Sequence, residues 1–324
     1  MKIEVIEIAR QGAPEVMSLT HAELDPPAPG EAQIKHTAIG LNYMDVYQRS
    51  GHYPLALPSR LGLEAAGQVT AVGEGVTGLA VGDRVAYAAV LGAYASHRNV
   101  PASRLISLPD DISDDVAAAV LMKGMTVEYL LNRTRKVSAQ DTVLFWAASG
   151  GVGQIAGQWG KHLGARMIGV TSGAKNCAEI QSLGYDAAID RTREDVAARV
   201  GELTGGKGVQ VVYDSIGAAT FDASINSLAT YGLFVSFGAT TGEAPAVAPS
   251  LLQKGGSLYF TRPTLGDYVK QSEDLQHSAS EVFRLVREGV LSANINQRFK
   301  LSEAALAHAA IERGTTTGST ILIP

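Results

Sequence analysis

The segment TVLFWAASGGVGQIAGQWGKHLGA, residues 142 to 165, constrains the possible folds of this chain more than any other. A short apolar strand candidate runs into a glycine-rich turn and then, with no linker, into a stretch that reads as a helix. Ala148, Gly150 and Gly153 fall at the three positions of the dinucleotide fingerprint, with alanine replacing the first glycine. Gly150 would let the backbone approach a pyrophosphate, and Gly153 would let helix and strand pack closely. Gly151 and Val152 belong to the same turn, where the helix N-terminus supplies amide donors and a partial positive charge. A tight strand-to-helix turn alone can use such glycines, so the context decides. Five further apolar strand candidates follow before residue 263, RMIGV, DAAID, VQVVYD, GLFVSFG and SLYFTR, with helical stretches in most of the gaps. Parallel strands need a crossover of about a dozen residues or more, so this alternation predicts an α/β fold with a doubly wound parallel sheet that binds a nucleotide.

The first hundred residues read differently. Short apolar runs such as AQIKHTAIGL, EAAGQVTAVG and GDRVAYAAV are broken by Gly and Pro, which predicts a strand-rich, barrel-like domain. A helical run begins after Ser113, its expected cap, and continues as DDVAAAVLMKGMTVEYLLNRT. We place the domain boundary near Lys123, giving one domain over 1–123 and 265–324 and a second over 124–264. The tail carries two helix candidates, EDLQHSASEVFRLVREGV and SEAALAHAAIERG, and a terminal strand, STILIP, which returns to the first domain.

Composition removes several function classes. With 27 Lys and Arg against 32 Asp and Glu, and no polybasic run, nucleic acid is not an expected partner. The single cysteine, Cys177, rules out an intramolecular disulfide and any multi-cysteine metal site, and suits a reducing, cytoplasmic setting. No apolar stretch reaches membrane-spanning length, and the start, MKIEVIEIAR, alternates like a strand rather than a signal peptide. The Asn132-Arg133-Thr134 sequon, which needs the secretory route, reads as chance. There is no HExxH, no GxSxG and no Tyr followed four residues later by Lys, so three common catalytic frameworks lose their markers. The seven histidines are scattered and read as packing or surface residues.

Cofactor choice is read about 20 residues beyond the turn, where NAD-binding proteins place an acid on the ribose 2′-hydroxyl. This chain instead continues Thr171, Ser172, Gly173, Ala174, Lys175, and Arg191 follows the next strand. A hydroxyl, a flexible backbone and cations suit a 2′-phosphate, so NADPH is the expected cofactor.

Segments LGLEAAGQVTAVGEGVTGLAVGDRVA and AASGGVG resemble the medium-chain dehydrogenase/reductase superfamily. More narrowly, AIGLNYMDVYQRSGHYP, MKGMTVEYLL, VVYDSIG, VSFGATTG, SLYFTRPTL and TTGSTILIP resemble the bacterial NADPH:quinone oxidoreductases of the zeta-crystallin type, across essentially the whole chain. The resemblance implies a Rossmann domain inserted in a GroES-like domain, NADPH in the cleft between them, and a homodimer formed through edge strands such as SLYFTR. Zinc-dependent members of the superfamily carry Cys where this chain has Asn42 and His where it has Leu63, and their cysteine-rich structural loop is missing here. Without zinc as Lewis acid, alcohol oxidation becomes implausible. A quinone is the fitting acceptor, because its reduced form is a phenolate-like anion with a conjugate acid near tyrosine's value of about 10.

By resemblance, Asn42, Tyr43, Met44, Asp45 and Tyr47 line the nicotinamide and acceptor site, with Tyr47 and Asn42 as catalytic candidates, and Tyr47 either donates a proton or hydrogen-bonds the cofactor. Lys123, Thr126 and Tyr129 face the same site, Glu64 is structural, and Ser215, Phe237, Gly238, Ala239, Thr240, Phe260, Thr261 and Arg262 flank the ribose and nicotinamide. The family's phosphate-binding Lys falls at Asn176, one place after Lys175; its Tyr after the third strand is Arg191, and Arg313 lies one residue before the family's position. Two rivals share this cofactor site: a reductase of enones or enoyl thioesters, and a non-catalytic NADPH-binding sensor or structural protein.

Overall fold

The computed structural model describes every residue from Met1 to Pro324, and these divide into two units, Met1–Met125 with Val269–Pro324, and Thr126–Tyr268. The sequence reading puts the junctions at 123/124 and 264/265.

The first unit opens with β1 (Lys2–Ile8), β2 (Met17–Glu23) and β3 (Glu31–Leu41), followed by helix α1 (Tyr43–Ser50). Then come β4 (Ser59–Arg60), β5 (Glu64–Val72), β6 (Arg84–Ala88), β7 (His97–Pro101) and β8 (Ile106–Ser107). Strand β3 is the spine of this unit, because it pairs antiparallel with β5, β7 and the last strand of the chain. Its apolar residues Ile34, Ile39 and Leu41 are buried with Val69, Val85, Tyr87 and Tyr94 in one core.

Helix α2 (Asp114–Glu128) begins as expected, with the Ser113 hydroxyl accepting the Val116 amide at 3.3 Å. The helical run is not uniform, however. Over Tyr129–Thr134 it widens to a π-helical turn. The loosened carbonyl of Leu130 accepts from the Tyr213 hydroxyl at 2.7 Å, and Arg133 reaches Glu128 at 2.7 Å and the Tyr268 carbonyl at 3.1 Å. The Tyr213 hydroxyl thus inserts a side-chain donor into the backbone ladder at this turn.

The second unit is a six-stranded sheet built from β9 (Thr142–Trp146), β10 (Arg166–Thr171), β11 (Ala187–Asp190), β12 (Val209–Asp214), β13 (Leu228–Ser236) and β14 (Tyr259–Thr261). All its pairings are parallel, in the order β11-β10-β9-β12-β13-β14. This is the doubly wound Rossmann order, with the chain reversing direction across the sheet after its third strand. Helices α3 (Gly151–His162), α4 (Ala174–Ser182), α5 (Val196–Thr204), α6 (Phe221–Asn226) and α7 (Pro249–Lys254) make the crossovers. Leu144, Trp146, Ile168, Val170, Ile189 and Val212 form part of the core on the sheet. Two strand expectations shift: β13 starts four residues before GLFVSFG, and β14 is shorter than SLYFTR because Gly256 and Ser257 turn with positive φ of 104° and 57°.

After α8 (Leu265–Tyr268), the first unit resumes with α9 (Ser272–Arg287), β15 (Ile295–Lys300), α10 (Ala304–Glu312) and β16 (Ser319–Ile323). Strand β16 pairs with β3 through Thr320, Ile321 and Leu322.

Candidate functional site

In the second unit, the sequence-derived residues gather at the C-terminal ends of the parallel strands, where open α/β sheets bind ligands. Strand β9 ends at Trp146, and Gly150 is the N-cap of α3 with ordinary extended angles, φ −77° and ψ 168°. A Cβ on Gly150 would meet only the Ala147 carbonyl, at 3.3 Å, whereas one on Gly153 would lie 2.5 Å from that carbonyl and 2.6 Å from Ala148 Cα. The two glycines therefore do different work: Gly153 permits the close approach of helix to strand, and Gly150 keeps the face of the turn clear. The residue with positive φ is Ala147, at 54°, one place before the alanine that sequence spacing aligns with the first fingerprint glycine. The Ser149 and Thr171 hydroxyls, 2.7 Å apart, tie this turn to the end of β10.

Beyond β10, Gly173 has φ 84° and caps α4, and Asn176 Nδ2 donates to the Ser172 carbonyl at 2.9 Å. Lys175 and Arg191 are exposed, and Arg191 is tethered to this loop by its amide, which donates to the Thr171 carbonyl at 3.0 Å. Sequence spacing missed Asp190, which ends β11. Its Oδ1 accepts from the Gly173 amide (2.9 Å), the Thr192 amide (3.1 Å) and the Thr192 hydroxyl (2.7 Å), and these bonds hold its carboxyl below the usual range. An acid thus stands beside this loop, with its Oδ1 committed to two loop amides and the Thr192 hydroxyl. The signal available in sequence was an Asp closing a strand just before a polar turn.

The remaining loops are built around Asp214, which is fully buried. Its Oδ1 accepts the Ile216 and Gly217 amides and its Oδ2 the Thr220 and Ser224 hydroxyls, so the Ser215 turn is fixed from within. The Ser215 carbonyl accepts from the Thr240 amide at 3.3 Å, and Gly238 lies so close that a Cβ there would sit 2.5 Å from it. Phe237 packs on Phe145, with centroids 5.6 Å apart, Ala239 is buried, and Phe260 packs edge-on to Phe234. Thr261 pairs with Val235, and Arg262 donates to the Ser236 carbonyl at 3.1 Å. Thr126 lies within α2; Tyr129 is buried and stacks on Tyr268, centroids 4.5 Å apart, and burial raises its pKa.

In the first unit, Asn42 and Asp45 form a capping box at the start of α1, with the Asn42 amide donating to Asp45 Oδ2 at 2.9 Å. The Asn42 side-chain nitrogen donates to Glu64 Oε2 at 2.9 Å. The backbone amide and the side-chain nitrogen of Asn42 thus both serve the fold, which weakens it as a freely acting catalytic group. Asp45 is likewise buried rather than presented: the Tyr94 hydroxyl donates to its Oδ2 at 3.0 Å and also lies 3.0 Å from His308 Nε2. Burial pushes Asp45 up to about 7 and His308 down to about 3. Tyr43 and Met44 are half-buried on the first turn. Tyr47 sits in an aromatic cluster with Tyr43, His52 and Tyr53, at centroid distances of 5.1, 4.8 and 5.4 Å. Burial raises the Tyr43 pKa, with Glu312 adding to it. Arg49, only 1% exposed, pairs with Glu312 at 2.5 Å, and Arg313 next to it is exposed at the end of α10. No group of three or more His, Cys, Asp or Glu side chains is arranged to hold a metal ion.

Residues 28–110 match the alcohol dehydrogenase GroES-like domain, and residues 151–279 match the zinc-binding dehydrogenase domain. A quinone oxidoreductase from Pseudomonas aeruginosa is 46% identical over 98% of this chain and 99% of its own. The crystal structure of Escherichia coli quinone oxidoreductase complexed with NADPH superposes with a TM-score of 0.97 at 43% identity, covering 99% of this chain and 100% of that one. The chain belongs to the quinone oxidoreductase family. Within the same reach lies a 2-haloacrylate reductase from a Burkholderia species, 39% identical over 98% of both chains.

Proposed function

We propose that the protein reduces quinones with NADPH, without metal or flavin. The observation that carries this reading is the full-length likeness to the quinone oxidoreductase complexed with NADPH. The residues present fit the nucleotide: the clear face at Gly150 and the amides of Gly151, Val152 and Gly153 suit a pyrophosphate, and the exposed cations Lys175 and Arg191 suit a 2′-phosphate beside Ser172, Gly173 and Asn176. Ser215, Phe237 to Thr240, Phe260 to Arg262, Thr126 and Tyr129 take the ribose and nicotinamide, Tyr43, Met44 and Tyr47 the acceptor side, and Arg313 a cationic contact. When bound, NADPH supplies hydride. The protein's share is to orient the two reactants and exclude water.

The test is NADPH oxidation by purified, EDTA-treated protein with small quinones, an enone and an enoyl thioester, and NADH as control. Quinone turnover that survives EDTA and prefers NADPH is the expected result. Turnover restricted to the enone or thioester would transfer the protein to the double-bond reductases, the reading that the 2-haloacrylate reductase relative favours. The single cysteine supports a cytoplasmic location. A homodimer through the edge strand β14 is part of the proposal, supported by its free outer edge and by exposed Tyr231 and Tyr259, and light scattering tests it.

A further inference from the structure

We infer that Lys123 is a catalytic residue whose ammonium group stabilises the oxygen anion formed when the acceptor takes hydride. The inference rests on the quinone reductase reading and gives that site a charged group. Lys123 lies in α2 and is 6% exposed, and its Nζ makes no hydrogen bond. The nearest carboxylate oxygen, Glu64 Oε2, stands 3.7 Å away, close enough to pair charges but too far for a hydrogen bond. An ammonium group has three N–H donors. Buried donors left unmade usually mark a place completed by a ligand, ion or water.

The counter-charge is fixed. Glu64 is fully buried; its Oε1 accepts the Met122 amide at 2.6 Å and its Oε2 accepts Asn42 Nδ2 at 2.9 Å. Every neighbour is a donor, so the side chain must be the acceptor-only carboxylate. Burial raises its pKa on balance, and Lys123 with the Asn42 and Met122 donors pulls against that rise. A Cβ on Gly40 would come within 2.4 Å of Glu64 Oε2, so the spine strand leaves room for the pair. Asn42 and Glu64 are positioning residues here. They hold the cation and leave its donors open.

An anionic oxygen is the ligand these donors lack, and hydride transfer creates one. The quinone gains a hydride, that is one proton and two electrons, to become the hydroquinone monoanion, NADPH is left as NADP⁺, and the anion then takes one proton from water. Lys123 keeps its own proton and donates a hydrogen bond as the charge appears, which is where preorganised donors act most strongly.

The test uses 4-nitrophenol, whose phenol and phenolate differ in absorbance, titrated against the protein with NADP⁺ bound, so no turnover occurs. The wild type should prefer the phenolate at least about tenfold, seen as an apparent pKa lowered by about one unit or more. Lys123→Gln keeps a donor for Glu64 and should fold, bind NADPH within about threefold of wild type, lose the phenolate preference, and lose at least about tenfold in kcat on a small quinone. Should Lys123→Gln melt early, Lys123→Met with Glu64→Gln removes both charges and reads the same two quantities. Absence of a phenolate preference in the wild type, or its survival in the variant, overturns the inference. Weakened NADPH binding with the preference intact also overturns it and makes Lys123 a cofactor contact. A wild type that prefers phenolate but reduces no quinone sinks the quinone reading while leaving the anion site standing.

Discussion

Gly150 and Gly153 lie three residues apart in one turn, yet alanine at each should fail in a different way. At Gly153 the new methyl would overlap backbone atoms at 2.5 and 2.6 Å, and backbone cannot swing aside as a flexible side chain can. Overpacking of this kind costs about 1–3 kcal/mol, and at roughly 4 °C per kcal/mol for a unit of this size the melting temperature should fall by about 4–12 °C. At Gly150 the methyl meets a single atom at 3.3 Å, and the backbone angles are ones alanine adopts freely, so stability should change by less than about 0.5 kcal/mol. It would stand, however, on the face proposed for the pyrophosphate. Losing one charge-assisted hydrogen bond there is worth about 1.5–3 kcal/mol, which raises Kd for NADPH roughly ten- to hundredfold. Calorimetric melts paired with NADPH titration by fluorescence separate the two effects. A Gly150→Ala protein that binds NADPH like wild type, or a Gly153→Ala protein that melts with it, would refute the division of labour.

Asp45 gives a pH prediction. Its carboxyl is raised by burial from 3.8 to about 7, against the opposing pull of the Asn42 amide, Tyr94 and Lys123, with Glu64 adding to the rise. Between those values the folded protein holds a proton that the unfolded chain has released, so this group's contribution falls as pH rises from about 4 to about 7. Asp45→Asn should flatten that slope, gaining on wild type in melting temperature toward pH 8; parallel curves from pH 4 to 8 would count against it. Arg191→Ala should weaken NADPH more than NADH in binding titrations, and equal losses would remove Arg191 from the 2′-phosphate. Glu312→Gln leaves the Arg49 guanidinium buried without its counter-ion. Because Glu312 is itself 30% exposed, the cost should fall below the 3–5 kcal/mol of a fully buried pair, at about 2 kcal/mol in urea melts, and replacing Arg49 by Met as well should recover part of it.

What could be read in the sequence was whatever periodicity and chain punctuation encode. All six strands of the second unit occur near their expected places, because parallel strands covered on both faces must be continuous apolar runs. The glycine turn was legible because Gly153 stands where helix and strand backbone leave no room for a side chain. The hidden features are those made by distant groups meeting. Asp190 and Asp214 look like ordinary strand-end acids until their hydrogen bonds to loop amides are seen, and the Asn42–Glu64–Lys123 cluster joins residues far apart in the chain. Asn42 shows the limit from the other side. Its residue type suggested chemistry, while its contacts make it a helix cap and a support for Glu64.

The pairing of β16 with β3 fixes an order of events during synthesis. The second unit is one uninterrupted stretch, Thr126–Tyr268, so it can fold as soon as it clears the ribosome. The first unit waits for its final strand, Ser319–Ile323, and until then the edge of β3 that Thr320 to Leu322 will cover stays open to any passing chain. A chain that stops before Ser319 would therefore join a finished second unit to an unfinished, aggregation-prone first unit.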